Sequence, residues 1–291
     1  AECRGSVAQS GIYVEEGKDC GSIRINMRKL GRYVKLMGVF AKYSLMSALE
    51  YRINFVTGMM VEMGWMVIKL LYVAIIYKAG TNIGILTPDH ILLFIGTYVL
   101  MTGIYMLYFG NLCSIPGMVQ QGELDLYIVK PVSLQFLVTM RRIEFAYLLP
   151  NLVAGTLMIT AGWRLAGLPV GVVPVAGFLF FFVCGCLLTY SLFLLPYLLS
   201  FWIVSIGGIA DISNALWDFN NMPSMIYGKW MRRIGTYVLP VFVITNFPGL
   251  FLMGELSLGA CLWGAGAPVL FFLISRRVWK LSLKRYSGAS S

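Results

Sequence analysis

Five apolar runs, at about residues 53–77, 91–112, 143–161, 172–195 and 256–274, leave this chain little choice of fold. A helix needs roughly 20 apolar residues to cross the hydrocarbon layer of a membrane, and each run meets or approaches that length. Lipid is therefore the solvent for most of the chain. Of its 291 residues 58% are hydrophobic and 12% charged, where a soluble domain has about a quarter charged, so no soluble domain of substantial size is left over. The expected fold is an all-α integral membrane protein.

The formal charge of +10 raises nucleic acid as a partner, but the basic residues cluster at the edges of the apolar runs. That is the distribution of membrane orientation and anionic headgroups, so membrane lipids are the expected partner and nucleic acid is not. Residues 27–52 place Arg28, Lys29, Arg32, Lys35 and Lys42 among Leu30, Val34, Leu36, Val39, Phe40 and Leu45. This segment is too charged to span and too apolar to float, and is expected to lie as an amphipathic helix in the cytoplasmic interface. Residues 1–26 are polar and lack the apolar core of a signal peptide. Disorder is expected there, in a leader added for expression or an over-extended reading frame before Met27; residues 286–291 read as a tail.

Chemistry-bearing residues are sparse. The six cysteines have no metal-ligand spacing and read as small buried side chains. The single histidine, His90, follows Pro88 and Asp89 at the expected start of a helix, which removes most metal-hydrolase and acid–base schemes. Gly96, Gly103 and Gly110 recur every seven residues on one face of the second span, where glycines permit close helix packing. Glu62 and Lys69 lie inside the first span, about 10 Å apart along the helix, too far for a direct pair without bending. Partners on other spans are expected for them. Asp211, Asn214, Asp218 and Asn221 fall at i, i+3, i+7 and i+10, one stripe of a helix. An acidic group at the bilayer centre costs about 2.5–3.5 kcal/mol, so the stripe must face protein or water. It reads either as a translocation path or as hydrogen bonding between spans. The tryptophans read as interfacial anchors or packing residues.

Both basic ends are placed in the cytoplasm by an even number of crossings. Six result if residues 198–221 form the fifth span and residues 223–254, broken by Pro223, Pro240 and Pro248, form a re-entrant excursion. The rival makes residues 234–253 the fifth span and keeps Lys229, Arg232 and Arg233 inside, as the positive-inside rule favours. Charge alone leaves the two open.

Between the second and third spans, GMVQQGELDLYIVKPVSLQF, residues 117–136, breaks the apolar pattern. Taken alone it could be a solvated interfacial loop. Its QQGELDLYIVKPVSLQF resembles the "G-E-L-D-x-Y-L-x-x-P" loop of the permease subunits of type-2 ATP-binding cassette (ABC) exporters, in particular the subgroup of uncharacterised ABC transport system permeases. FNNMPSMIYGKWMRRIGTYVLPVFVITNFPGLFLMG is similar to that subgroup's proline-punctuated region before the last span, and order and spacing agree over residues 27–285.

The resemblance implies six spans within residues 53–285, an N-terminal interfacial helix, a cytoplasmic coupling helix and an extracellular re-entrant region, with Lys229, Arg232 and Arg233 snorkelling to the outer headgroups. It implies a bacterial plasma (inner) membrane protein with both termini cytoplasmic, partnered by ABC ATPase subunits and by a second permease subunit in a homo- or heterodimer. The chain has no G-x-x-x-x-G-K-[ST] loop, so ATP and Mg would be held by the partner and no cofactor by this chain. A helix over about Met118–Val129, stopped by Pro131, would present Leu124, Tyr127 and Ile128 to an apolar groove of the ATPase. Glu123 and Asp125 would meet positive groups, Gly122 would permit a close approach, and Lys130 closes the segment. The translocation path would be lined by Asp211, Asn214, Asp218, Asn221 and Glu62. The alternative is an ion-coupled secondary transporter using Glu62, Asp211 and Asp218, for which no inverted repeat is apparent. A membrane-bound enzyme is the weakest reading.

Overall fold

The computed structural model describes residues 27–80, 82–203 and 207–286. The elements are α1 (Met27–Glu50), α2 (Arg52–Ala79), α3 (Pro88–Gln120), α4 (Asp125–Ile128), α5 (Leu134–Met140), α6 (Phe145–Leu165), α7 (Val172–Leu198), α8 (Gly207–Asp218), α9 (Lys229–Arg233), α10 (Val241–Leu252) and α11 (Leu258–Leu283). Contacts divide the chain at Leu36 into residues 1–36 and 37–291, and the packed bundle belongs to the second unit. The expectations for residues 1–26 and 287–291 lie outside the described residues.

Helices α2, α3, α6, α7 and α11 are each long and apolar enough to cross a membrane. Their starts follow local chemistry. At α3, Pro88 occupies the first turn, where its missing N–H costs nothing, and Thr87 and His90 cap each other reciprocally, with the Thr87 N–H donating to His90 Nδ1 at 3.3 Å. His90 is thus spent on a helix cap. The Tyr77 hydroxyl donates to Asp89 at 2.5 Å and ties the end of α2 to the start of α3.

The central helix is α3: 72% of its most apolar window is buried, against 17% for α2. Its broadest interface is with α6, and glycines on both sides make it. An added Cβ at Gly96 would meet the Ile159 backbone N at 2.7 Å, and one at Gly155 would meet that of Leu100 at 2.7 Å. Gly103 and Gly162 are equally closed, by Asn151 at 2.9 Å and Leu93 at 2.6 Å. Gly110, the third member of the expected glycine face, meets nothing nearer than Glu144 at 3.7 Å and lies beyond the tight contact.

The expected fifth span over residues 198–221 is corrected. Helix α7 continues through Pro196 to Leu198 and ends in a 3-10 turn, Leu199–Phe201; α8 begins only at Gly207 and has 12 residues, about 18 Å. The chain nevertheless traverses the bundle here. Tyr197, just before the turn, contacts Cys113 of α3 at 3.2 Å; Trp217 stacks on Tyr105 at 4.2 Å; Met225 lines a small pocket with Leu86 and Phe94. From Cys113 to Phe94 is about 28 Å along α3, close to the hydrocarbon thickness. The crossing is composite, made of α8, the 3-10 turn Phe219–Asn221 and the extended Met222–Pro223.

The segment that follows turns back. Lys229–Val238 and Val241–Leu252 meet at a 97° bend at Leu239 and Pro240. Met225, before this excursion, and Met253, after it, line the same pocket with Leu86 and Phe94. The chain therefore leaves this pocket and comes back to it through a sharp bend. Helix α10 is buried from Val241 to Gly249, which keeps this broken backbone away from lipid.

Candidate functional site

Two regions carry the sequence's candidate residues, at different places in the bundle. The first is the turn after α3. Gly122 adopts φ +71°, a left-handed conformation that costs other residues, and reverses the chain immediately after α3. The expected helix over Met118–Val129 is therefore corrected: Met118 belongs to α3, and only Asp125–Ile128 forms a further helical turn, α4. The reversal drops Leu124 into the core, with no exposure, so it cannot fill a partner's groove. Leu126 (67% exposed), Val129 (81%) and Ile128 project in its place.

Tyr127 is half-buried and held from behind: its hydroxyl accepts from Arg141 Nη1, and Arg141 and Lys130 approach its ring at 5.1 and 5.0 Å. Asn111 of α3 donates to the Arg142 carbonyl at 2.8 Å and accepts its N–H at 3.2 Å, fixing the far end of the segment. Glu123, Lys130 and Pro131 are exposed. Asp125 lies beside Tyr286, whose phenol is pushed up to about 12 by burial and by this carboxylate. Tyr286 also packs edge-on against Phe201, at 6.2 Å, so the turn, the end of α11 and the α7–α8 elbow meet here.

The second region is α8. Ile209, Ser213 and Trp217 face inward; Trp217 lies between Tyr105 and Tyr98, with Phe193 at 5.5 Å. Asp211, Asn214 and Asp218 are exposed. Asn221 is off the helix, in the 3-10 turn, so the expected four-residue stripe is three helical residues plus one held by hydrogen bonds. Asn221 Nδ2 donates to Asp218 at 3.2 Å, and Asn221 Oδ1 accepts from Lys69 Nζ. Lys69 Nζ stands 4.7 Å from the centre of the Tyr98 ring.

Glu62 is not part of this cluster. It is buried at 7% exposure and accepts from Asn151 Nδ2 at 2.7 Å, across the α2–α6 contact. Glu62 and Lys69, the charges inside α2, thus find separate partners on other elements, as their spacing anticipated. Sequence reasoning noted Lys69 but did not connect it to the stripe, and passed over Asn151. The only signal was an isolated polar residue in each apolar run, which names a need for a partner but not the partner. Among the described residues no three His, Cys, Asp or Glu side chains come together as a metal site.

A bundle of long apolar crossings, with its buried polar groups paired between helices, defines a multi-pass membrane protein. Over residues 63–290 the chain matches the family described as ABC-2 family transporter protein, and it belongs to that family. No curated protein and no solved structure matches it.

Proposed function

We propose that the chain is the permease half of an ATP-binding cassette exporter in a bacterial inner membrane, with both termini and the α4 turn in the cytoplasm. Two such chains, identical or related, clasp two ATPase subunits. ATP and Mg are held by those subunits. ATP binding closes the ATPases, the α4 turns move, and the path between the two chains opens outward; hydrolysis resets it.

The observation that carries this reading is the reversed polarity of α8. A lipid-facing helix keeps its charged groups inward, whereas α8 buries Ile209 and Trp217 and turns Asp211, Asn214 and Asp218 outward beside Ile212. Each acid would cost about 2.5–3.5 kcal/mol against hydrocarbon, so a second subunit and water are the cover that this face requires. The projecting Leu126, Ile128 and Val129, flanked by Glu123, supply an apolar tip of the kind that docks in a cleft. Arg141 and Asn111 brace it against α3, so that a push is carried into the bundle.

The test is co-purification with an ATPase subunit. Replacing Glu123 and Asp125 by Lys is expected to abolish assembly and coupled ATPase activity, and unchanged values would remove the docking assignment. Asp211→Ala is expected to abolish export while the complex still assembles. Export at the wild-type rate would refute the α8 path.

A further inference from the structure

We propose that Lys229, Trp230, Arg232 and Arg233 form a binding surface for anionic phospholipid headgroups in the leaflet opposite the α4 turn. The inference rests on where the re-entrant segment lies and does not depend on transport.

The far end of the bundle is fixed by packing. Helix α11 ends where Trp279 and Tyr286 flank Phe201, near the α4 turn, so its start at Leu258 lies at the other end. Trp263, in the second turn of α11, donates from Nε1 to the Thr236 carbonyl at 2.8 Å and packs on Tyr237 at 5.9 Å. Helix α9, immediately before, is therefore held at the end opposite Leu126 and Val129.

All three cations of α9 are exposed, and among the described residues no carboxylate pairs with them. The acids of the same end are Asp89, bonded to Tyr77, Asp218, bonded to Asn221, and the exposed Glu255. Trp230 is 78% exposed on the same five-residue helix, and Ile234, Tyr237 and Val238 continue an apolar exposed face through the next turn. Cations and an aromatic ring above an apolar face match the depth profile of one leaflet: phosphates outside, acyl chains beneath.

A soluble anion would neutralise the cations but leave the apolar face uncovered, whereas a lipid covers both. This surface also answers the positive-inside rule. Three cations on the far side are disfavoured during insertion, and binding fixed phosphates is the compensation that holds the re-entrant segment at its depth.

The test uses the full chain in nanodiscs of phosphatidylcholine with phosphatidylglycerol, one of the two brominated on its acyl chains. The Trp230 signal is taken as the difference from Trp230→Phe. Brominated phosphatidylglycerol is expected to quench Trp230 more than brominated phosphatidylcholine at the same mole fraction. One cation near an anionic surface is worth about fivefold in local enrichment, so K229Q/R232Q/R233Q is expected to bring the two lipids to parity. The variant R232K/R233K should keep the preference, which separates charge from loss of fold. Equal quenching in the wild type, or a preference unchanged in the triple glutamine variant, overturns the proposal. So does a preference abolished by millimolar inorganic phosphate but not by equal ionic strength of chloride, which would assign the surface to a free anion.

Discussion

At the residue scale, the buried polar groups decide most. Glu62 sits in the α2–α6 contact with Asn151 as its hydrogen-bond donor, and Asn151 also donates to the Tyr147 carbonyl at 2.9 Å. Removing the amide leaves a buried carboxylate without its partner, which costs about 1–3 kcal/mol or more for a charged group. Asn151→Leu is therefore expected to lower the thermal unfolding midpoint in detergent, and adding Glu62→Met should recover most of the loss. If Asn151→Leu alone left the midpoint unchanged, Glu62 would have another partner. The need for such a partner was legible in the sequence, because a carboxylate in an apolar run cannot face lipid. Its identity was not, since residues 89 positions apart meet only in the folded bundle.

At the element scale, two helices join through missing side chains. Gly96 and Gly103 of α3 face α6, and Gly155 and Gly162 of α6 face α3. Gly155→Leu would drive a side chain into the Leu100 backbone, and overpacking of this kind costs about 1–3 kcal/mol, occasionally more. Gly110→Ala is expected to be neutral in the same unfolding measurement, because its nearest neighbour is 3.7 Å away. A seven-residue repeat marked all three α3 glycines alike; which of them touch depends on where α6 crosses, and no local pattern encodes that. The α4 turn makes the same point. Leu124 and Leu126 are equally apolar in sequence, yet the left-handed Gly122 buries one and exposes the other. Leu124→Ala is expected to destabilise the fold by about 2–5 kcal/mol. Leu126→Asp should leave the unfolding midpoint near wild type and weaken co-purification with the ATPase subunit.

At the scale of the whole molecule, the proposed pairing of two chains turns on α8. In a cysteine-free background, Asp211→Cys is expected to cross-link two copies in membranes under mild oxidation. Leu157→Cys, on an exposed apolar position of α6 (63% exposed), should not. The reverse pattern would place the subunit interface on α6. The long crossings, the basic ends, the start of α3 at Pro88 and the need to shelter every intramembrane charge were all determined by sequence alone. These follow from local periodicity, propensity and the cost of polar groups in hydrocarbon, none of which requires a partner element. Only the tertiary structure decided that the crossing after α7 is a short helix completed by irregular chain, and that residues 225–253 leave one pocket and come back to it through a sharp bend. It also decided that Lys69 serves Asn221 while Glu62 serves Asn151. For the last the reason is that the paired residues lie on different elements and meet only when these pack; for the first two it is that a segment broken by prolines or too short to span has no preferred course of its own. It takes the one that the grooves and hydrogen-bonding groups of its neighbours leave open.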